Sequence, residues 1–292
     1  MRFKAYSPTH ITGIFEICDH YLNPLRRGSK GAGLCLEKGI YSTVELKDFR
    51  DVKIFINGKI SEAPVSEKVI EYYRKIAGKE FGAYIYHDTE APIGSGFGTS
   101  GGGALGLSLA LNEALGLNLS YKQVTQIAHL AEIICKTGLG TVIAETKGGL
   151  EIRIKEGAPG YGEIISYPVK DYYLLALSLS KLSTKEALSN LYIRSKINGS
   201  CAPLLKELVE KPSLENFLKV SQEFSFKVNL MSEGIRKRMK DLSSYGYHSG
   251  MAMFGDTLFT LVKEGELKEV ERILKDEALF ISPIANKGAH LL

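Results

Sequence analysis

Over the first ~95 residues, short apolar segments alternate with turns, in "RFKAYSP", "GLCLEKGIYSTVEL", "VKIFINGKI" and "FGAYIYHDT". Period-two alternation in "KIFINGKI", with an Asn-Gly pair inside it, predicts a hairpin. This region therefore reads as mostly β, with one helix at about 66–77. Two helical patterns follow at about 100–115 and 121–136, and "GGLEIRIKEG" returns to a strand. Near residue 165 the pattern changes. "YYLLALSLS" reads as a buried strand, and "LSTKEALSNLY" as a helix whose Ser183 and Glu186 fit a capping box. Helices at about 202–210, 213–229 and 231–241, a hairpin in "SGMAMFGDTLFTLVKEG", a helix near 267–276 and a last strand complete a second α+β half.

One stretch does not fit an ordinary element. "APIGSGFGTSGGGALG", residues 91–106, concentrates glycine just before the apolar helix "ALGLSLALNEALGLN". Glycine costs roughly 0.5–1 kcal/mol relative to alanine in a regular element, so such density implies that bare backbone is the working part. A glycine loop that delivers free amides to a helix N-terminus suits an anion. No lysine follows the glycines, which excludes the usual P-loop, and a dinucleotide fingerprint can be forced onto Gly94, Gly96 and Gly98 only loosely. The hydroxyls of Thr99 and Ser100 suit a phosphate loop, where one can bond phosphate and another ligate magnesium. The competing reading is a tight helix–strand crossing that needs small residues.

Elsewhere, Val124, Ile127, Ala131 and Ile134 form the apolar stripe of the helix at 121–136, which puts Thr125, His129 and Glu132 together on one flank. In "LEIRI", Glu151 and Arg153 alternate with Leu150, Ile152 and Ile154, so Arg153 points away from the apolar side of its strand. A planar guanidinium there suits a carboxylate, although a solvated strand arginine has the same pattern.

Bulk properties narrow the class. The 292 residues are 44% apolar and 24% charged, enough for a full core in one large domain or two modest ones. Lys plus Arg number 37 against 33 acidic residues, spread along the chain, so nucleic acid is not expected as a partner. No apolar run approaches the ~20 residues that span a bilayer, and "MRFKAYSPTH" has no secretory core, so a cytoplasmic protein without membrane partners is expected. Cys18, Cys35, Cys135 and Cys201 lie far apart and read as buried thiols.

"PIGSGFGTSGGGALG" resembles the P-x-G-x-G-L-G-S-S-[AG] phosphate loop of the GHMP kinase superfamily, with Pro92, Gly94, Gly96, Gly98 and Ser100 in place and Phe97 and Thr99 as variants. "YSPTHITGIFEI" and "SGMAMFGDTLFTLV" resemble the first and third motifs of that superfamily. Within it, "SPTHITGIFEI", "RRGSKGAGLCLEKG", "GSGFGTSGGGALGLSLALN" and "GGLEIRIKEG" resemble the archaeal pantoate kinases most closely. The resemblance implies an α+β GHMP kinase fold, with a ribosomal-S5-like, ATP-binding half over 1–165 and a ferredoxin-like half over 166–292. It also implies ATP and Mg²⁺ at the loop and, as the expected activity, phosphorylation of pantoate in coenzyme A biosynthesis. Amides from Gly96 to Gly102, including Gly98 and Gly101, are expected to hold phosphate, with Ser100 the hydroxyl near Mg²⁺ and Ser95 and Thr99 second choices. Glu132 is the expected magnesium carboxylate, and Ser29, His129, Arg153 and Thr184 match positions that contact the hydroxy acid.

One departure is plain. Where pantoate kinases usually carry an aspartate to take the proton, this chain has Thr141, in "KTGLGTVIAET". A threonine is no general base near neutral pH. Direct attack without a base, a substitute carboxylate such as Glu145 or Glu16, another small alcohol as substrate (mevalonate, homoserine or a sugar), and nucleotide binding without turnover all stay open at this level, as does a homodimer.

Overall fold

Two long strands organise the chain: β1 (Arg2–Cys18) and β2 (Gly28–Lys47) run antiparallel through most of their length, with register shifts between Ser7 and Thr9 and between Thr12 and Ile14. The computed structural model describes residues 1–180, 190–252, 255–275 and 278–292. Of the expected helix at "LSTKEALSNLY", residues 182–189, with Ser183, Thr184 and Glu186, lie outside the described residues.

The far end of β2 pairs with β5 (Gly82–Thr89), which runs parallel to β3 (Val52–Ile56); β3 turns through Asn57–Gly58 into β4 (Lys59–Ile60) as the expected hairpin. The near end of β2 pairs instead with β6 (Leu150–Lys155), followed by β7 (Glu163–Tyr167). One face of this sheet carries α1 (Pro64–Ala77), α2 (Thr99–Leu115) and α3 (Tyr121–Cys135) around a core that includes Val44, Val69, Tyr73, Ile85, Leu105 and Ala128. Short α4 (Thr141–Glu145) links α3 to β6.

Residues 168–171 lead into the second sheet, ordered β11-β8-β10-β9 and antiparallel throughout, from β8 (Tyr172–Ser178), β9 (Ser249–Ala252), β10 (Thr257–Lys263) and β11 (Phe280–Pro283). Helices α5 (Leu191–Glu210), α6 (Leu214–Val228) and α7 (Glu233–Ser244) precede β9, and α8 (Leu267–Ile273) precedes β11. Strand–helix–strand–strand–helix–strand in that order is the ferredoxin-like arrangement. The division expected at residue 165 falls within β7, and β12 (His290–Leu291) carries the chain's end back to pair with β1.

A second core joins the halves, with Ile11, Ile14 and Phe15 of β1 packed among residues of α5–α7 and the second sheet. Helix α5 begins well before the expected start near 202; Pro203 inside it and the polar Asn198 hide its period. Asn198 is used as a clamp, accepting from Ile17 N at 2.8 Å and donating to Ile17 O at 3.1 Å.

Helix α2 is buried continuously from Gly101 to Leu111, as an apolar helix without a polar stripe must be. Its early glycines each cost about 1 kcal/mol of helix propensity. Close packing explains them: a Cβ at Gly106 would lie 2.7 Å from Ser42 Oγ, and one at Gly102 3.1 Å from Ile40 and 3.2 Å from the Pro8 carbonyl. Helix α3 starts in a capping box between Ser120 and Gln123. Its faces differ from expectation in one respect. Ile134 is exposed, whereas Thr125, His129 and Glu132 are buried, because α3 is covered on both flanks.

Candidate active site

Gly94, Gly96 and Gly98 all have positive φ (80°, 85° and 65°), a conformation that side chains rarely adopt, and Gly98 is the N-cap of α2. The loop they form is fastened from both sides. Phe97 is buried, its ring 4.8 Å edge-on to Phe280 of β11, and its carbonyl accepts from His10 N at 3.0 Å. The Ser95 carbonyl accepts from Thr257 Oγ1 at 2.8 Å. Pro92 opens the loop, and its bare backbone beyond Gly98 leads into the first turn of α2 through Thr99, Ser100, Gly101 and Gly102. The Gly102 amide is taken by the Gly98 carbonyl at 3.1 Å, and the first-turn amides before it suit an anion.

Of the loop hydroxyls, Ser100 is the one that meets Glu132, donating from Oγ to Oε1 at 2.7 Å. Thr137 Oγ1 donates to the same oxygen at 2.6 Å. Burial raises the Glu132 pKa above the ordinary carboxylate value, and the two hydroxyls pull it back only in part. Its other oxygen packs against Gly138, where any Cβ would collide with it. A buried carboxylate beside a hydroxyl at the mouth of a helix N-terminus fits a cation bound jointly with phosphate. Among the described residues there is no cluster of three or more His, Cys, Asp or Glu side chains to hold a metal by itself.

Thr141 closes the next turn. A Cβ at Gly98 would lie 2.5 Å from its methyl group and one at Gly101 3.0 Å, so the methyl packs against the loop. One helical turn later, and fully buried, comes Glu145. Its carboxyl oxygens lie 3.1, 3.3 and 3.4 Å from the Cβ positions of Gly98, Gly101 and Gly102, and neither has a hydrogen-bond partner. Burial, with Glu132 as a second influence, pushes its pKa well above the ordinary value. Burial therefore disfavours the charged form of Glu145, which packs against the loop. Glu16, the other substitute carboxylate, is paired with Lys30 at 3.2 Å.

Across Gly140 stand the acid-recognition candidates. Any Cβ on Gly140 would collide with Ser29 Oγ and lie 2.8 Å from Arg153 Nε, so hydroxyl and guanidinium converge on this turn. Arg153 is 1% exposed rather than solvated. Its Nη1 pairs with Glu151 Oε1, while Nε and Nη2 are buried without a hydrogen-bond partner. His10 Nε2 lies 2.9 Å from the same Glu151 oxygen. His129 is brought to the turn that precedes Ser29, its Nε2 donating to the Arg27 carbonyl at 3.0 Å, and burial lowers its pKa to about 4, so it is neutral. Thr184 lies outside the described residues.

Sequence reasoning did not find His10, Thr137 or Gly140. Glu151 carried a signal, its alternation with Arg153, that places both on one strand face.

Residues 65–159 match the model of the GHMP kinases N terminal domain. The chain is 39% identical to the pantoate kinase of Methanocaldococcus jannaschii, over 93% of this chain and 97% of that one. It is 34% identical to the pantoate kinase of Thermococcus kodakarensis, over 94% and 93% respectively. A solved structure described as a phosphotransferase related to the CoA biosynthesis pathway superposes with a TM-score of 0.91 at 30% identity, covering 100% of this chain and 99% of that one.

Proposed function

The chain belongs to the pantoate kinase family of GHMP kinases, and from that premise we propose that it transfers the γ-phosphoryl group of ATP to the primary hydroxyl of pantoate, giving 4-phosphopantoate, ADP and a proton. The observation that carries the reading is the meeting, around Gly138–Thr141, of two unlike sites. On one side stand the helix N-terminus with Ser100 and Glu132; on the other stand Ser29 and the unpartnered guanidinium edge of Arg153.

Phosphoryl transfer asks mainly for positioning and charge compensation. The amides at the start of α2 bind the phosphates. The cavity of about 230 Å³ beside them, lined by Ile56, Pro64, Val65, Ile93 and Thr99, takes the base. Magnesium, when bound, supplies charge compensation on the phosphoryl oxygens, and Ser100 and Glu132 would hold it. Arg153 and Ser29 bind the carboxylate and orient pantoate so that its alcohol faces the phosphate loop.

Among the described residues, the position where a base is expected carries Thr141 in place of a carboxylate. Thr141 cannot serve; its methyl group and the Glu145 carboxyl both pack directly against the glycine loop. The chain's own contribution is then orientation of the alcohol. A loose transition state needs little proton removal before the new O–P bond forms, and the proton leaves late.

The test is ADP release by the purified protein with Mg-ATP and, separately, pantoate, mevalonate and homoserine. Turnover with pantoate alone is expected. Turnover with one of the others instead would reassign the acceptor, and silence with all three would favour nucleotide binding without transfer.

A further inference from the structure

The buried face of β6 holds a contact that the phosphoryl-transfer reading does not use. Glu151 and Arg153 share that face. Across the sheet, Glu151 registers with Gly33 of β2, and Gly33 with Thr12 of β1. His10, two residues before Thr12, reaches Glu151 over Gly33: a Cβ there would overlap its ring. Glycine at 33 is therefore the gap through which a β1 side chain touches β6.

The hydrogen-bond roles follow from the partners. An ionised carboxylate only accepts, so His10 donates from Nε2, and its Nδ1 accepts from Thr12 Oγ1 at 3.4 Å. Oε1 of Glu151 thus receives both His10 Nε2–H and Arg153 Nη1–H. All three side chains are 1% exposed or less.

What this leaves open on the guanidinium is specific. Nε–H and Nη2–H lie parallel on one edge of the plane, the edge that binds a carboxylate through two hydrogen bonds. Those are the two nitrogens without a partner. Had Glu151 taken Nε or Nη2, that two-point edge would be broken.

We infer that His10 and Glu151 are a positioning pair, which grips Arg153 by Nη1 and presents its intact Nε/Nη2 edge to the carboxylate of the acid substrate. The inference rests on the acid-substrate reading above. It assigns selectivity for a planar carboxylate to residues that do not touch the substrate. Glutamine at position 10 can still donate to Glu151, whereas leucine cannot.

The experiment compares wild type, His10→Leu and His10→Gln in two ways. Kinetics with pantoate, and with its uncharged primary amide, should show the acid KM rising about tenfold in His10→Leu. ATP KM should stay within about twofold, the preference for acid over amide should shrink, and His10→Gln should restore both. Nitrogen NMR of the Arg153 side chain, without substrate, should show separate Nη1 and Nη2 signals in wild type that average in His10→Leu. If the leucine variant does not fold, His10→Asn, too short to span Gly33, reads the same way. An acid KM within twofold of wild type together with resolved Nη signals in the folded variant would overturn the inference, as would equal rises in both KM values. A wild-type chain silent toward pantoate would overturn the substrate reading instead, and the Nη signals would still judge the pair.

Discussion

Two buried glutamates flank the same glycine loop and are treated oppositely by it. Glu132 accepts hydrogen bonds from Ser100 and Thr137 and stands where the loop opens. Glu145 accepts none and lies beside the Thr141 methyl, against the side of the loop where Gly98, Gly101 and Gly102 lack a Cβ. Burial raises the pKa of both, yet only Glu132 has donors that favour its ionised form. The difference separates a carboxyl whose hydrogen bonds favour its charged form from one whose charged form nothing but solvent could favour, and burial keeps solvent away. Proximity to a phosphate loop does not by itself make a carboxylate a participant.

The largest effect that would break this contrast is on turnover. Glu132→Gln should lower kcat by about 10²-fold or more and weaken its dependence on magnesium, with the melting temperature little changed. An unaltered magnesium titration would remove Glu132 from the metal site. On the acid side, Arg153→Lys keeps the charge but loses the two-point edge, so acid KM should rise about 10–100-fold and ATP KM little. Lysine is the better probe than alanine, which would strand buried Glu151 and cost roughly 3–5 kcal/mol of stability.

A smaller and sharper test concerns Thr141. An aspartate at this half-buried position sets a second carboxyl one turn from buried Glu145, so Thr141→Asp should lose about 1–3 kcal/mol of stability. Adding Glu145→Gln should recover part of that. Equal stability of the single and double variants in chemical denaturation would show that the two positions do not interact.

The smallest effects are in pH dependence. Glu145 has a folded pKa raised above its unfolded value of about 4.5, so the fold holds its proton more tightly, and stability falls as pH rises above that value. Glu145→Gln should flatten this loss on the side above the ordinary carboxylate value. His87 and His129 have the opposite sign. Their folded pKa values fall to about 4, so stability declines as pH drops from ~6.5 toward 4, by up to about 3 kcal/mol for each. His129→Gln should shrink that acid limb, and a limb unchanged in the variant would contradict the assignment.

Much of this was legible in the chain. The glycine density marked the loop, and the helical spacing put Thr125, His129 and Glu132 on one flank. The alternation in "LEIRI" set Arg153 on the face opposite Ile152. What the spacing could not give was depth: nothing in it distinguishes a solvated arginine from one sealed beside Glu151, because its neighbours come from elsewhere in the chain, Gly140 directly and His10 of β1 through Glu151. His10 belongs to the same class of contact, visible only once Gly33 is seen to leave a gap between two strands. Ile134 failed for the converse reason, since α3 packs through the flank that looked polar and leaves part of its apolar stripe in water. The start of α5 was hidden by Pro203 and by the polar Asn198, whose side chain is spent on β1.

Transfer to pantoate without a carboxylate base is a claim that ADP release by wild type and Glu145→Gln, side by side with Mg-ATP and pantoate, can decide. The prediction is turnover by both, with kcat values within about fivefold, since the amide preserves the shape of a neutral acid and general-base catalysis contributes about 10²–10⁴-fold where it operates. Wild-type activity together with a folded Glu145→Gln variant slowed by 10²-fold or more would make Glu145 the base and contradict the claim.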